Sequence, residues 1–319
     1  MKNYLLYLTK RVLSLIPVLF VVSVIVFLII HMTPGDPAIV MLGEDATAEQ
    51  VEELRQQLGL DLPLHEQYLN WVLGALQVDL GSSYFMREPV TEAIMNHLGP
   101  TISLTILSQM IALLIAIPIG IFAARRRGTM ADQSVMGVSL LGMSVPNFIL
   151  GLLTMLMFGV ILRWLPVAGY APLSAGLWEH MKYLILPAVS LGTLQAALIT
   201  RITRSSMLEV LNNNYIKSAR AKGVKERQII YFHAFRNAFL PILTVIGQTF
   251  GGLIAGAVIT ETIFNIPGIG QLTINSIERR DYPIIQGVIF FVAIAYVGIN
   301  LFVDLLYGFI NPRVRLEKN

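Results

Sequence analysis

Uncharged stretches alternate with short charged ones along this chain. Residues 12–35, 93–124, 133–162, 183–200, 237–260 and 282–303 contain no Asp, Glu, Lys or Arg. Each reaches the roughly 18 residues expected of a membrane-spanning helix. One ionised side chain at a helix centre costs about 2.5–3.5 kcal/mol on insertion, so six such gaps in one sequence are not accidental. The pattern predicts an all-α membrane protein with six transmembrane helices. Pro17, Pro118, Pro146 and Pro187 fall inside the runs, and each removes a backbone hydrogen bond and favours a kink. The third run is too long for one perpendicular crossing: it reaches about 45 Å at about 1.5 Å per residue, against about 30 Å of hydrocarbon. It must tilt, break near Pro146 or extend past the membrane.

Between the first two runs lies the one sizeable polar insert, residues 36–92. Thr47 and Gln50 have capping-box spacing, which satisfies orphan amides at a helix start. Val51, Leu54 and Leu58 repeat at helical spacing, and Gly59 is a suitable stop. A second amphipathic stretch, Glu66 to Val78, carries Tyr68, Trp71, Val72 and Ala75. It reads either as a helix on the membrane surface with Trp71 at headgroup level, or as an acidic platform for an extracytoplasmic partner. The organisation expected is therefore 1–35 for the N-terminus and first helix, 36–92 for the insert, and 93–319 for a five-helix core. That core includes a basic loop, 201–240.

Composition agrees with a membrane protein. Of 319 residues, 55% are apolar and only 13% charged, against about 25% charged in soluble domains; mean hydropathy is +0.67. Alternate connections hold 17 of the 23 Lys and Arg residues, eight of them between Arg201 and Arg236. The side rich in Lys and Arg is cytoplasmic, which predicts that both termini are inside. The first apolar run is long and lacks a small-residue cleavage site, so it reads as a retained helix rather than a signal peptide. A net charge of +3 is too small to suggest a nucleic-acid partner.

Candidate chemistry inside the membrane is sparse. Glu261, Asp304 and His31 stand only at the ends of runs. A proton- or sodium-coupled carrier normally needs an ionisable residue at depth, so a secondary transporter is disfavoured. No cysteine is present, the five histidines lack metal-ligand spacing, and there is no HExxH, GxSG or GxxxxGK[ST] motif. A membrane-embedded enzyme therefore has neither a nucleophile–base pair nor a metal site. Uphill transport would need energy from another subunit. Ser144, Asn147, Thr193, Gln195, Gln248 and Thr249 place uncharged polar groups in the spans, suited to lining a wet path or to packing between helices.

The basic loop contains a short helix candidate. Asn213 or Asn214 can cap its start and Gly223 can end it in a left-handed conformation. Small Ser218, Ala219 and Ala221 alternate there with basic Lys217, Arg220 and Lys222. A compact capped helix of this kind can seat in a cleft of a partner; taken alone, however, the segment reads rather as a solvated basic loop on the Lys- and Arg-rich side.

Here the residues resemble a known family. Glu209, Ala219, Gly223 and Leu240-Pro241 occupy the places of the cytoplasmic coupling motif of permease subunits in binding-protein-dependent ABC importers. The 18-residue interval from Gly223 to Pro241, with Ala-Arg-Ala-Lys-Gly at 219–223 and His-Ala-Phe-Arg-Asn-Ala-Phe-Leu-Pro at 233–241, is similar to the dipeptide, oligopeptide, nickel and glutathione branch. Pro34-Gly-Asp-Pro37, Asp79-Leu-Gly-Ser82, Ser144-Val-Pro-Asn-Phe148, Glu261 to Gly270, Arg280-Asp-Tyr-Pro283 and Asn311-Pro-Arg313 extend the likeness over nearly the whole chain. Phe239 departs from a position that the motif usually fills with an aliphatic residue.

The resemblance is to the first of two permease subunits, the one with a large extracytoplasmic insert after helix 1. It implies the ABC importer permease fold in a cytoplasmic (inner) membrane. It also implies partnership with a homologous second permease, two ABC ATPase subunits and an extracytoplasmic substrate-binding protein. ATP and Mg would bind in the ATPase subunits, with no cofactor or metal in this chain and no catalysis by it. Glu209, Tyr215, Ala219, Arg220, Ala221, Lys222 and Gly223 become the ATPase-coupling residues. Asp61, Tyr68, Trp71 and Asp79 become candidates for binding-protein docking. Di- or oligopeptides are the expected solute, with glutathione or a nickel chelate as alternatives within the class.

Overall fold

The computed structural model describes residues 2–32, 36–43 and 45–310. Pro34 and Gly35 of the first quoted motif, and all of Asn311-Pro-Arg313, lie outside the described residues. Among the described residues the architecture is carried by α1 Lys2–Met32, α2 Pro37–Leu42, α3 Ala48–Gln57, α4 Leu64–Leu76, α5 Val90–Arg125, α6 Met130–Ser144, α7 Asn147–Thr154, α8 Leu177–Leu211, α9 Asn214–Ala221, α10 Phe235–Phe264, α11 Ile269–Arg279 and α12 Tyr282–Ile310, with one further single turn at Glu226–Gln228. Among the described residues there is no strand beyond one bridge between Ser82 and Pro89.

Among the described residues four helical segments, Val90–Arg125, Leu177–Leu211, Glu226–Ile254 and Tyr282–Val303, are long and apolar enough to cross a membrane, and α6 with α7 makes a fifth candidate if the bent pair is one span. The pair turns by 99°, with Pro146 in the N-cap position of α7. Of the three outcomes open to the overlong third run, the break is the one adopted. α7 then runs into a π-helical turn, Met155–Ile161. Pro118, Pro187 and Pro17 lie inside continuous helices instead. Neighbouring helices and local adjustment let a spanning helix tolerate proline.

The bundle is centred on α5 and α8, which pack along most of their length, with α10 against α8. Two glycines allow the approach. A Cβ on Gly192 would lie 2.7 Å from the Ser108 carbonyl oxygen, and one on Gly120 would lie 2.6 Å from Thr203 Cβ. Small residues at such crossings let backbones meet where hydrophobic transfer supplies no driving force. Those contacts also set α5 and α8 parallel. α9, which follows α8, therefore sits at the opposite end of the bundle from the 36–92 insert.

Buried apolar side chains form three groups. One, with Ile121, Ile199, Met207, Ile216 and Ile230, supports the α9 end. A second, with Leu104, Leu184, Leu191, Leu253 and Phe264, fills the centre. The third joins Val90 and Ile94 of α5 to Leu272 of α11 and Ile284 and Val288 of α12. Outward faces of the long helices are rich in exposed Leu, Ile and Phe, such as Leu114, Leu141 and Phe302, as lipid-facing surfaces require.

Candidate functional site

The basic loop folds as a knob. α8 continues past its uncharged run to Leu211, and Asn213 takes the N-cap position of α9 with an extended backbone but no side-chain cap. Gly223 has φ +80°. Its amide donates to the Arg220 carbonyl at 2.9 Å and the Val224 amide to the Ala219 carbonyl at 3.2 Å. That paired closure is the Schellman arrangement, which needs a left-handed residue and so favours glycine. The stop expected at Gly223 is thus in place, while Asn213 holds the start by position without a side-chain capping bond.

One side of α9 is anchored and the other is free. Ile216 is completely buried among Met207, Ile230 and Ala234. Tyr215 is exposed on its outer side, and its hydroxyl accepts from Asn237 Nδ2 at 3.0 Å. The same Nδ2 donates to the His233 carbonyl at 2.8 Å, so helix α9 is pinned to the π-turn Ile229–Ala234 that leads into α10. Arg220 donates to Glu226 through Nε at 3.2 Å and Nη2 at 2.8 Å, bracing the far end across Gly223. Lys217, Ala221 and Lys222 remain exposed and Ala219 half-buried. Glu209 lies two turns earlier on the exposed side of α8. The outcome is a rigid, basic, protruding helix whose position is fixed by α8 and α10 together.

A second ion pair sits at this end. The Asp132 carboxylate, 3% exposed, accepts from Arg204 Nε at 2.5 Å and Nη2 at 2.7 Å and from the Gly128 amide at 2.9 Å. It joins the start of α6 to the last third of α8. A bidentate guanidinium–carboxylate contact is among the stronger and more directional hydrogen-bonded pairs.

At the insert end, two buried carboxylates do similar work. Glu261 has no exposed surface. It accepts from Thr101 Oγ1 at 2.6 Å, from the Gly270 amide at 2.7 Å and from the Gln271 amide at 3.3 Å. Thr101 Oγ1 in turn accepts from the Ile269 amide at 2.8 Å. The first turn of α11, where amides lack helical partners, is therefore capped by a side chain from α10 and one from α5. The sequence placed Glu261 merely at the end of a run; the Gly268 and Gly270 spacing beside it was the available signal, since a Cβ at either would collide with the carboxylate. Asp281, 2% exposed, accepts from Ser83 Oγ and from the Tyr84 amide at 3.2 Å, tying the insert to the start of α12. Burial, followed by the charge on Asp281, pushes the Tyr84 phenol up to about 12.

The insert itself follows the sequence closely. α3 begins with the Thr47–Gln50 capping box, and α4 covers most of the second amphipathic stretch. Tyr68 and Trp71 point back into the molecule. The Tyr68 hydroxyl lies 2.8 Å from Ser23 Oγ of α1, and the Trp71 ring meets Phe290 of α12 edge-on at 5.2 Å. Asp79 accepts from the Gly81 amide at 2.9 Å, and Asp61 is exposed.

The six polar residues of the spans differ in their surroundings. Gln195 and Thr249 are buried, with Thr249 Oγ1 bonded to the Ile246 carbonyl at 2.9 Å. Thr193 bonds to the Val189 carbonyl of its own helix at 2.7 Å. Ser144 and Gln248 are exposed. Asn147, just past the break, has a buried Oδ1 with no partner. Among the described residues no group of His, Asp and Glu is arranged to hold a metal ion.

Comparisons with known proteins extend over the same ground. Residues 116–316 match the model of the binding-protein-dependent transport system inner membrane component, and residues 4–105 match its N-terminal companion. The glutathione transport system permease protein GsiC of Escherichia coli (strain K12) is 44% identical over 311 residues, covering 98% of this chain and 99% of that protein. A probable peptide ABC transporter permease protein, y4tP of Sinorhizobium fredii, is 42% identical over 309 residues, covering 97% and 99%. Among solved structures, an inward-facing form of the MetNI methionine ABC transporter superposes with a TM-score of 0.57 at 18% identity. It covers 69% of this chain and 96% of that one, a likeness of fold.

Proposed function

The chain belongs to the family of binding-protein-dependent transport system inner membrane components, and on that premise we propose that it is the permease through which short peptides are imported, with α9 as the element that ATPase subunits push. As a permease of an ABC importer it is not itself an enzyme. The reading adds six crossings, α1 and the broken α6–α7 pair each counting as one, with both termini in the cytoplasm. It adds a homologous second permease, two ATPase subunits and an extracytoplasmic binding protein.

The observation that carries the coupling role is the construction of α9. A two-turn helix closed at Gly223, anchored by Ile216 and braced by the Arg220–Glu226 pair can transmit a force without first unfolding. Its exposed Lys217, Arg220 and Lys222 suit an acidic cleft. Peptides are supported by the names of the relatives, since glutathione is itself a tripeptide. The lack of an ionisable group deep in the described spans fits a path for polar uncharged or zwitterionic solutes driven by ATP.

Reconstituted complex provides the test. Uptake of a labelled tripeptide should require ATP and the binding protein and persist when proton and sodium gradients are collapsed. Uptake that follows an ion gradient and ignores ATP would overturn the reading.

A further inference from the structure

Helix α4 presents two unlike flanks to its surroundings. Leu69, Leu73 and Leu76 recur at helical spacing and share one flank; they are 54%, 55% and 77% exposed. Asn70 and Gln77 stand on the neighbouring flank, also exposed, and Asn70 with Gln67 borders the open cleft between the insert and the start of α12. Single exposed leucines on a surface need no explanation. Three along one flank of one helix form a patch, and such patches mark a surface that something covers.

The depth of α4 says what covers it. Its inner side rests on α1 and α12. The Tyr68 hydroxyl lies 2.8 Å from Ser23 Oγ, and the Tyr68 ring meets Phe27 edge-on at 5.4 Å. Gln67 Oε1 lies 3.0 Å from His31 Nε2, and Trp71 packs on Phe290. Phe27 and Phe290 fall inside the uncharged runs 12–35 and 282–303, each eight residues from the insert end, or roughly 12 Å at about 1.5 Å per residue. A helix whose side chains reach that far along both runs does not stand clear of the bilayer.

Two further observations agree. Residues 67–78 carry no charge, with Glu66 before them and Asp79 after; an apolar stretch of about 10–14 residues is too short to cross and suits an interfacial segment. Helix α1 turns Val21, Ile25 and Leu28 outward, each about half exposed, so α4 rests on a helix whose own outer face is apolar. A soluble protein partner would bring a polar rim to its contact, and the leucine flank offers that rim no charge to meet.

We propose that α4 lies in the membrane interface on the insert side, with Leu69, Leu73 and Leu76 among the lipid acyl chains and Asn70 and Gln77 turned to water. Trp71, expected from the sequence at headgroup level, is instead the internal anchor, and the leucines make the lipid contact. The insert is thereby held to the bilayer as well as to the bundle. The placement rests on α1 crossing the membrane, whatever solute is carried.

The test uses the complete complex in lipid nanodiscs. Leu69→Cys, Leu73→Cys and Leu76→Cys, made one at a time in a chain with no cysteine of its own, each carry a nitroxide label, and the parent complex treated alike supplies the background of its partners. Collisions with oxygen, which concentrates among acyl chains, are compared with collisions with a water-soluble paramagnetic chelate. The three leucine labels should favour oxygen severalfold, at a depth of about 5–10 Å, while labels at Asn70→Cys and Gln77→Cys favour the chelate severalfold. Leucine labels that favour the chelate would overturn the proposal. So would labels shielded from both reagents, or shielded once binding protein is added, since a protein would then cover the flank. Asn70 and Gln77 labels as deep as the leucines would overturn it too. A label at Ile25→Cys separates the two readings: Ile25 in lipid with the leucines in water defeats the placement of α4 alone, and Ile25 in water defeats the crossing of α1 and the placement with it. Three independent leucine sites keep the result decisive if one label prevents assembly.

Discussion

The carboxylate of Glu261 accepts a 2.7 Å hydrogen bond from the amide of Gly270, nine residues further on. With Thr101 it caps α11 from outside, joining α5, α10 and α11 at a single point. At Gly268 the carboxylate fills the space a methyl group would need, and at Gly270 the Val258 backbone fills it together with the carboxylate.

Gly270→Ala should therefore destabilise the protein, by about 1–3 kcal/mol for overpacking a closed site. Glu261→Ala should cost more, since it strands several buried donors at once, each worth about 1–3 kcal/mol. Thermal unfolding of the purified complex, with proteolysis between Asn265 and Arg280 as a local report, checks both. A variant pair that unfolds like the parent would show that the α11 cap is dispensable.

Gly223→Val should damage coupling more than folding. A β-branched side chain in the left-handed region is strained by about 1–2 kcal/mol, and the closure of α9 would be the part that yields. Complex assembly should survive while uptake per ATP hydrolysed falls severalfold. Unchanged coupling in a fully assembled variant would count against α9 as the pushed element.

Asp132 and Arg204 should behave as a unit. Removing one partner of a buried pair costs about 3–5 kcal/mol, somewhat less here because Arg204 keeps 24% of its side chain exposed. Asp132→Ala should lower the amount of protein in the membrane, and the double change with Arg204→Met should recover part of it. A double-mutant cycle on unfolding temperature measures the coupling directly.

Tyr84 predicts an alkaline effect. Its phenol is raised from 10.0 to about 12 in the fold. Stability from the protonated group is whole below pH 10 and declines as pH rises through 10 toward 12, by up to about 1.4 kcal/mol per unit. Phenolate absorbance should show a late-titrating component that Tyr84→Phe reduces; a titration curve unaltered at its upper end would contradict this.

Much of the fold was legible because lipid is an exacting solvent. Charge-free length announced the long helices, and the 99° break at Pro146 was one of three outcomes that length and proline left open. The ends of α3 and α9 were readable since Thr47, Gln50 and Gly223 act on their own neighbours. Glu261, Asp281 and Asp132 were not, because their partners lie 160, 198 and 72 residues away, and nothing local tells a buried carboxylate from one at a helix end. Trp71 was hidden for a related reason. Amphipathic spacing shows that α4 has an apolar side, but not that Phe290 covers it.

Helix α8 runs unbroken for 35 residues, from Leu177 at the insert end of the bundle to Leu211 beside α9, roughly 52 Å at about 1.5 Å per residue. Fused to α5 through Gly120 and Gly192, it is a shaft with no joint except the softening at Pro187. A tilt of a few degrees imposed at the α9 end must reappear, inverted about whatever pivot the bilayer provides, as a sideways swing of the far tip. Mechanical advantage is thus a property of this chain's length and stiffness alone, set before any partner is attached.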